Sequence, residues 1–137
     1  MSSSNPTPPE WKCGDTFLYR RPGLDNHLQV VLSNPTLVPA RVVVVNFSSL
    51  RGYEERTCII EPGEHPYATK RTCIPYRFAY MTSLAYLEER EANGDIERQE
   101  PLSPELLCRV LTGAALSVFM PTEIWDVIEN QDLIDPF

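Results

Sequence analysis

Residues 41–47 read RVVVVNF, and the four consecutive valines, Val42 to Val45, constrain this chain more than any other segment. β-Branched side chains are stiff about χ1 and favour extended backbone over helix. A strand with one wet face alternates apolar and polar residues, so an unbroken apolar run exceeds what a half-exposed strand requires. This segment is therefore expected to be the most buried strand of a sheet. Shorter strands are expected around it at 15–20 (DTFLYR), 27–33 (HLQVVLS), 57–60 (TCII) and 76–80 (YRFAY). Turn residues separate them: the RPGLDN segment at 21–26, Asn34-Pro35, Pro39 and the polar loop at 48–52. Pro75 is expected to start the last strand. The loop at 61–66 (EPGEHP) is stiff, because two prolines fix φ and Gly63 can take a positive one.

The apolar period changes near residue 82. Thr82 or Ser83 can cap a helix running to about Ala92, where Asn93-Gly94 ends it. Ser103-Pro104 supplies an N-cap followed by proline at the first helical position. From there Leu106, Leu107, Val110, Leu111, Ala114 and Val118 recur at helical spacing. Pro121-Thr122 opens a third short helix containing Trp125 and Ile128. About five short strands followed by two or three helices, without βα alternation, predict an α+β fold: a small twisted barrel over 11–81 covered by helices over 82–131. Residues 1–10, rich in serine and proline, are expected to form a flexible leader.

With 137 residues the chain can bury one core and is too short for two ordinary domains. It contains no apolar run of the roughly 18 to 20 residues a membrane helix needs, and its start lacks the basic and apolar regions of a signal peptide. A cytoplasmic protein with no membrane partner is expected. Cys13, Cys58, Cys73 and Cys108 form no CxxC pair, so no metal site is indicated and the thiols are expected to be reduced. The net charge of −7 argues at first against a phosphate-bearing partner. It divides unevenly: residues 1–77 hold nine basic and seven acidic side chains, a balance of +2, and residues 78–137 hold three and twelve, a balance of −9. The first half can therefore carry a local positive field.

No phosphate loop, dinucleotide fingerprint, zinc-protease or nucleophile-elbow motif is present. Two histidines, His27 and His65, are the side chains suited to proton transfer near neutral pH. His65 lies in the stiff loop, five residues before Lys70-Arg71. A histidine with cations nearby is the minimum kit for phosphodiester cleavage: one group moves protons and the others stabilise charge on the phosphate. The plainer alternative is a loop histidine that bonds its own turn. Ser48 and Ser49, following the valine strand, can donate to a phosphate or ribose, or bond the loop backbone instead. Arg51, Lys70 and Arg71 can clamp phosphate, with Thr69 or Thr72 as hydroxyl donors. Tyr67, Tyr76 and Phe78 can stack bases, although aromatics on strands are more often core. Cys73 with His65 could form a thiol and base pair only if the thiol were acidified.

Three segments together resemble the MazF/PemK growth-inhibitor toxin superfamily. Cys13-Gly14-Asp15-Thr16-Phe17-Leu18 is similar to the family's opening strand, and Val30-Val31-Leu32-Ser33-Asn34-Pro35 to its "VLS" strand. Val42 to Val45 followed by Asn46, Phe47, Ser48 and Ser49 is similar to its valine-rich strand ending in a Thr/Ser pair. The likeness covers roughly residues 14–49. It implies an SH3-like barrel, often dimeric, that cleaves single-stranded RNA without metal or other cofactor, leaves a 2′,3′-cyclic phosphate and pairs with an antitoxin protein. It also implies a catalytic role for Ser48 or Ser49. The family's arginine does not carry over, because His27-Leu28-Gln29 stands in its place. Either His27 replaces it, or His65 and Lys70 take over, or the chain keeps the fold without the activity.

Three functions follow from these residues. The leading expectation is a toxin-like endoribonuclease with His65 as acid or base, Lys70 and Arg71 on phosphate, and Ser48 or Ser49 positioning the substrate. The second is a non-catalytic inhibitor, encoded by a phage or plasmid, that docks its acidic helical face on a basic protein. The third is a nucleic-acid-binding barrel without catalysis. Convergence of His65, Lys70, Arg71 and Ser48 on one concave surface would favour the enzyme.

Overall fold

In the computed structural model the valines of 42–45 bury almost completely, each at most 1% exposed, and they do so in alternate directions. Val43 and Val45 join a large core that includes Val30 and Leu32 from the preceding strand segment, together with Leu106, Val110 and Ile128. Val42 and Val44 join a smaller cluster with Trp11, Phe17, Val31, Leu87 and Ile96. Both faces of the strand are thus covered, which is why an uninterrupted apolar run is stable there. The structure describes residues 9–20, 27–37, 41–52 and 54–133; residues 1–8 of the expected leader, the expected turn at 21–26 and Pro39 lie outside the described residues.

The sheet holding those valines has five strands. β1 (Thr16–Tyr19), β2 (Gln29–Val31), β3 (Arg41–Asn46), β7 (Tyr80–Ser83) and β8 (Ile96–Gln99) lie in the order β7-β3-β2-β1-β8, every pairing antiparallel. After β3 the chain passes Phe47 and continues as β4 (Ser48–Ser49) in a second sheet, of order β4-β6-β5, with β5 at Ile59–Ile60 and β6 at Thr72–Cys73. The fold is α+β, as expected. The strands form two antiparallel sheets linked through β3 and β4, and no hydrogen-bonded ladder closes them into one barrel among the described residues.

The helices obey their sequence signals. Ser83 caps α1 (Leu84–Ala92) by accepting the Tyr86 N–H, and Gly94, at φ +83°, follows its end. Ser103 caps α2 (Pro104–Leu116) in the same way through Leu106 N–H. α3 spans Thr122–Asn130. None of these helices is long and apolar enough to cross a membrane. α2 stops before Val118, which is 88% exposed and leaves the apolar stripe that the spacing assigned to it.

Three departures matter for the site. Residues 48–49, expected in a loop, form β4 and pair with β6 at 72–73, a segment given no element from the sequence, with Ser48 opposite Cys73 and Ser49 opposite Thr72. β8 lies between two helices and pairs along its length with β1; only Ile96 of IERQ is buried, so its apolar signal is one residue long. The expected strand at 76–80 begins instead with a 3₁₀ turn at Tyr76–Phe78. The cause is Tyr76, whose buried hydroxyl donates to the Val110 carbonyl of α2 at 2.7 Å. α2 meets that ring at Gly113, where a Cβ would lie 2.3 Å from Tyr76 Oη. The turn directs Phe78 outward while Tyr76 points in.

Candidate functional site

The strand ends, the 3₁₀ turn and the loop between α2 and α3 surround a cleft of about 980 Å³. Gln29 of β2 and Asn46 of β3, cross-strand partners in the sheet, both line it. The Gln29 amide donates to the His27 carbonyl at 3.0 Å, and its oxygen accepts from Tyr80 Oη at 3.3 Å. Gln29 thereby ties the backbone of His27 to the neighbouring aromatic. His27 itself is exposed, and its ring makes no hydrogen bond among the described residues. Ser48, half-buried in β4, also lines the cleft, and its hydroxyl is likewise unengaged among the described residues.

A second depression of about 120 Å³ shares His27 and Ser48 with the first and adds Ser49, Tyr67 and Thr72. His27 and Ser48 are therefore common to both. The larger cleft also carries two guanidinium groups, Arg51 and Arg77, both exposed and neither in an ion pair among the described residues. Arg77 lies over the Phe78 ring, 4.6 Å from its centroid. Five aromatic side chains, Tyr19, Phe78, Tyr80, Tyr86 and Phe119, face the same space, with the Tyr19 and Tyr86 hydroxyls 2.7 Å apart. Glu54 and Glu55 complete the polar lining. Glu54 accepts the Arg51 and Gly52 N–H groups at 2.6 and 3.1 Å, holding a turn in which Gly52 has φ +119°.

The cleft gathers part of the sequence-derived set and omits the rest. His27, Ser48, Ser49, Arg51, Tyr67 and Thr72 line one or both depressions. His65, Lys70, Arg71 and Tyr76 line neither. His65 is 3% exposed, and both ring nitrogens have backbone partners. Nε2 donates to the Glu100 carbonyl at 2.7 Å, and Nδ1 accepts the Tyr67 N–H at 3.1 Å. Its ring also packs edge-on to Phe47, with centroids 5.5 Å apart. The expectation of His65, Lys70, Arg71 and Ser48 on one concave surface is not met, because the His65 ring is buried between the Glu100 carbonyl, the Tyr67 N–H and Phe47. Arg71 pairs with Glu61 at 3.1 Å. Tyr76 has no face open for a base, being fully buried. Cys73 is also fully buried, and burial pushes its thiol up to about 11, opposite to the shift a nucleophilic thiol needs.

Sequence reasoning missed Arg77, Tyr19, Gln29, Asn46, Tyr80, Tyr86 and Phe119 as site residues. Their signal was weak because each lies in a segment whose apolar pattern explains it as framework. Among the described residues no group of three or more His, Cys, Asp or Glu side chains is placed to hold a metal ion.

The fold is shared with an endoribonuclease. A solved structure described as an endoribonuclease in complex with its cognate antitoxin, from mycobacterial species, matches with a TM-score of 0.52. The match covers 82% of this chain and 96% of that one at 13% identity, so the likeness is one of fold. No family model and no curated protein matches the sequence. What that neighbour shares with this chain is the arrangement of sheet and helices, and the side chains at the cleft must be judged by their own chemistry.

Proposed function

We propose that this chain is a toxin-like endoribonuclease that cleaves single-stranded RNA without metal, with His27 rather than His65 as the proton-transfer group. The observation that carries the reading is the placement of His27 and Ser48 on the boundary of both depressions, with ring and hydroxyl unengaged among the described residues. A phosphodiester at that boundary has aromatic side chains and cations together on its larger-cleft side. Unpaired bases stack on exposed aromatic faces, and Phe78 and Phe119, 59% and 52% exposed, supply them. Arg51 and Arg77 supply positive charge where the phosphates run.

In the reaction His27 takes the proton of the ribose 2′-hydroxyl. The 2′-oxygen attacks phosphorus, the bond from phosphorus to the 5′-oxygen breaks, and the departing oxygen takes a proton from solvent. The products are a 2′,3′-cyclic phosphate and a 5′-hydroxyl end. Arg51, Arg77 and the Ser48 hydroxyl stabilise the charge that grows on the non-bridging oxygens. A cognate antitoxin belongs to the same reading. The end of α2 and the loop after it support a protein partner, because Leu116, Val118 and Phe119 are 69%, 88% and 52% exposed. On this reading the apolar contact lies beside the cleft rather than on the acidic helical face.

Purified protein incubated with single-stranded RNA in chelator is expected to cut it and leave cyclic phosphate ends. The His27→Ala protein is expected not to cut. Cutting that persists in H27A removes His27 from the mechanism, and tight, salt-dependent binding without cutting by the wild-type protein would favour a binding role.

A further inference from the structure

Two adjacent carboxylates in a cleft assigned to a polyanion require a reason. Glu54 holds its own turn. Glu55, half-buried, reaches two other segments as well as its near neighbour Thr57. Its Oε1 accepts the Tyr76 N–H at 3.1 Å, at the start of the 3₁₀ turn that presents Arg77 and Phe78. Its Oε2 accepts the Thr57 hydroxyl at 2.5 Å and the Ser117 hydroxyl. Ser117 Oγ in turn accepts the Phe119 N–H at 3.1 Å. A single carboxylate therefore fixes both segments that bring exposed phenylalanines to the cleft. Both oxygens are engaged by protein donors.

We infer that Glu55 is a positioning residue for substrate recognition: it sets the Arg77-Phe78 turn and the Phe119 loop relative to each other so that unpaired bases meet preformed aromatic faces. This rests on the endoribonuclease reading of the cleft. The bonds at Oε1 and Oε2 do not need a negative charge. Glutamine can accept the Tyr76 N–H through its oxygen and donate to the Ser117 hydroxyl through its amide, while removing a charge that repels phosphate.

The test compares E55A with E55Q. Loss of the carboxylate in E55A is expected to raise amide exchange at Tyr76 and Phe119 about tenfold, and to raise KM for single-stranded RNA by a similar factor with kcat held within about threefold. E55Q is expected to restore the protection of both amides and to bind a non-cleavable 2′-deoxy oligonucleotide at least as tightly as the wild type. Loss of kcat in E55Q equal to that in E55A would make Glu55 a proton-transfer group and overturn the inference. Unchanged protection of both amides in E55A would overturn it as well. Should the wild-type protein neither bind nor cut RNA, the endoribonuclease reading fails alone, and the exchange data still decide whether Glu55 holds the two segments. Should E55A not fold, S117A, which cuts Glu55 off from the Phe119 loop, is expected to raise amide exchange at Phe119, and unchanged protection there would overturn the inference.

Discussion

The lining of the cleft and the packed layer that supports it contain the same kinds of side chain in opposite states. His27 is exposed with no ring partner among the described residues, whereas His65 is 3% exposed with a backbone partner at each nitrogen. Phe78 and Tyr76 stand two residues apart, yet one is 59% exposed in the cleft and the other is sealed against α2. Residue type alone cannot separate these roles. What separates them is whether any atom capable of chemistry is left over once the fold has been made. A histidine that joins the Tyr67 N–H to the Glu100 carbonyl stabilises a loop, and one with an open ring can exchange a proton with a substrate.

The two histidines give the sharpest way to break this comparison. Replacing His27 by alanine is expected to slow RNA cleavage by a factor of about 10² to 10⁴, the usual worth of a general acid or base. Its unfolding midpoint should match the wild type, since the ring bonds no other residue among those described. His65→Ala is expected to do the reverse. It leaves the Tyr67 N–H without an acceptor and opens a void beside Phe47, at a cost of about 2 kcal/mol in stability. Folded H65A protein should still cut at a rate within about threefold of wild type. Single-turnover cleavage and urea unfolding, run on both variants, would show the crossed pattern; a cleavage defect confined to H65A would reverse the assignment.

Gly113 tests the supporting layer alone. Alanine in a helix interior normally gains about 1 kcal/mol over glycine. Here a Cβ would sit 2.3 Å from Tyr76 Oη and 3.1 Å from Cys58 Cβ, and overpacking of that kind costs about 1 to 3 kcal/mol. G113A should therefore be destabilised despite its better helix propensity. Removing the clashing oxygen with Y76F should recover part of the loss, which a double-mutant cycle measures as a coupling between the two sites. Additive effects would mean that α2 can move away from the turn.

These contrasts also explain what could be read from the sequence. The buried valine strand, the caps at Ser83 and Ser103 and the stop at Gly94 were legible because each is decided by local sterics or by a bond within one turn. β8 was not, because IERQ is a strand only through its pairing with β1, and its one buried residue is Ile96. The site was half legible for the same reason. Ser48 and Arg51 follow directly from the end of the valine strand. The enclosure of His65 depends on the carbonyl of Glu100, 35 residues away, and the inward turn of Tyr76 depends on the carbonyl of Val110, 34 residues away. No pattern within the EHPY or PYRF segments carries that information.

The smallest effect concerns the cations, and it separates lining from surface most finely. Lys70 lies outside both depressions, whereas Arg77 lines the larger one against Phe78. Each phosphate contact to a single strand contributes about 0.7 to the slope of log affinity against log salt. R77A should reduce the magnitude of that slope by about 0.7 and weaken binding a few-fold at moderate salt, with K70A unchanged in both. R77K distinguishes charge from stacking. It keeps the phosphate contact, and with it the slope, but a lysine ammonium cannot lie flat on the Phe78 ring as a planar guanidinium does. R77K should therefore lose affinity by a constant factor across the salt series. Equal slope changes in R77A and K70A would mean that RNA follows the outer surface of the 61–71 loop, and the cleft would lose its claim to the phosphate path.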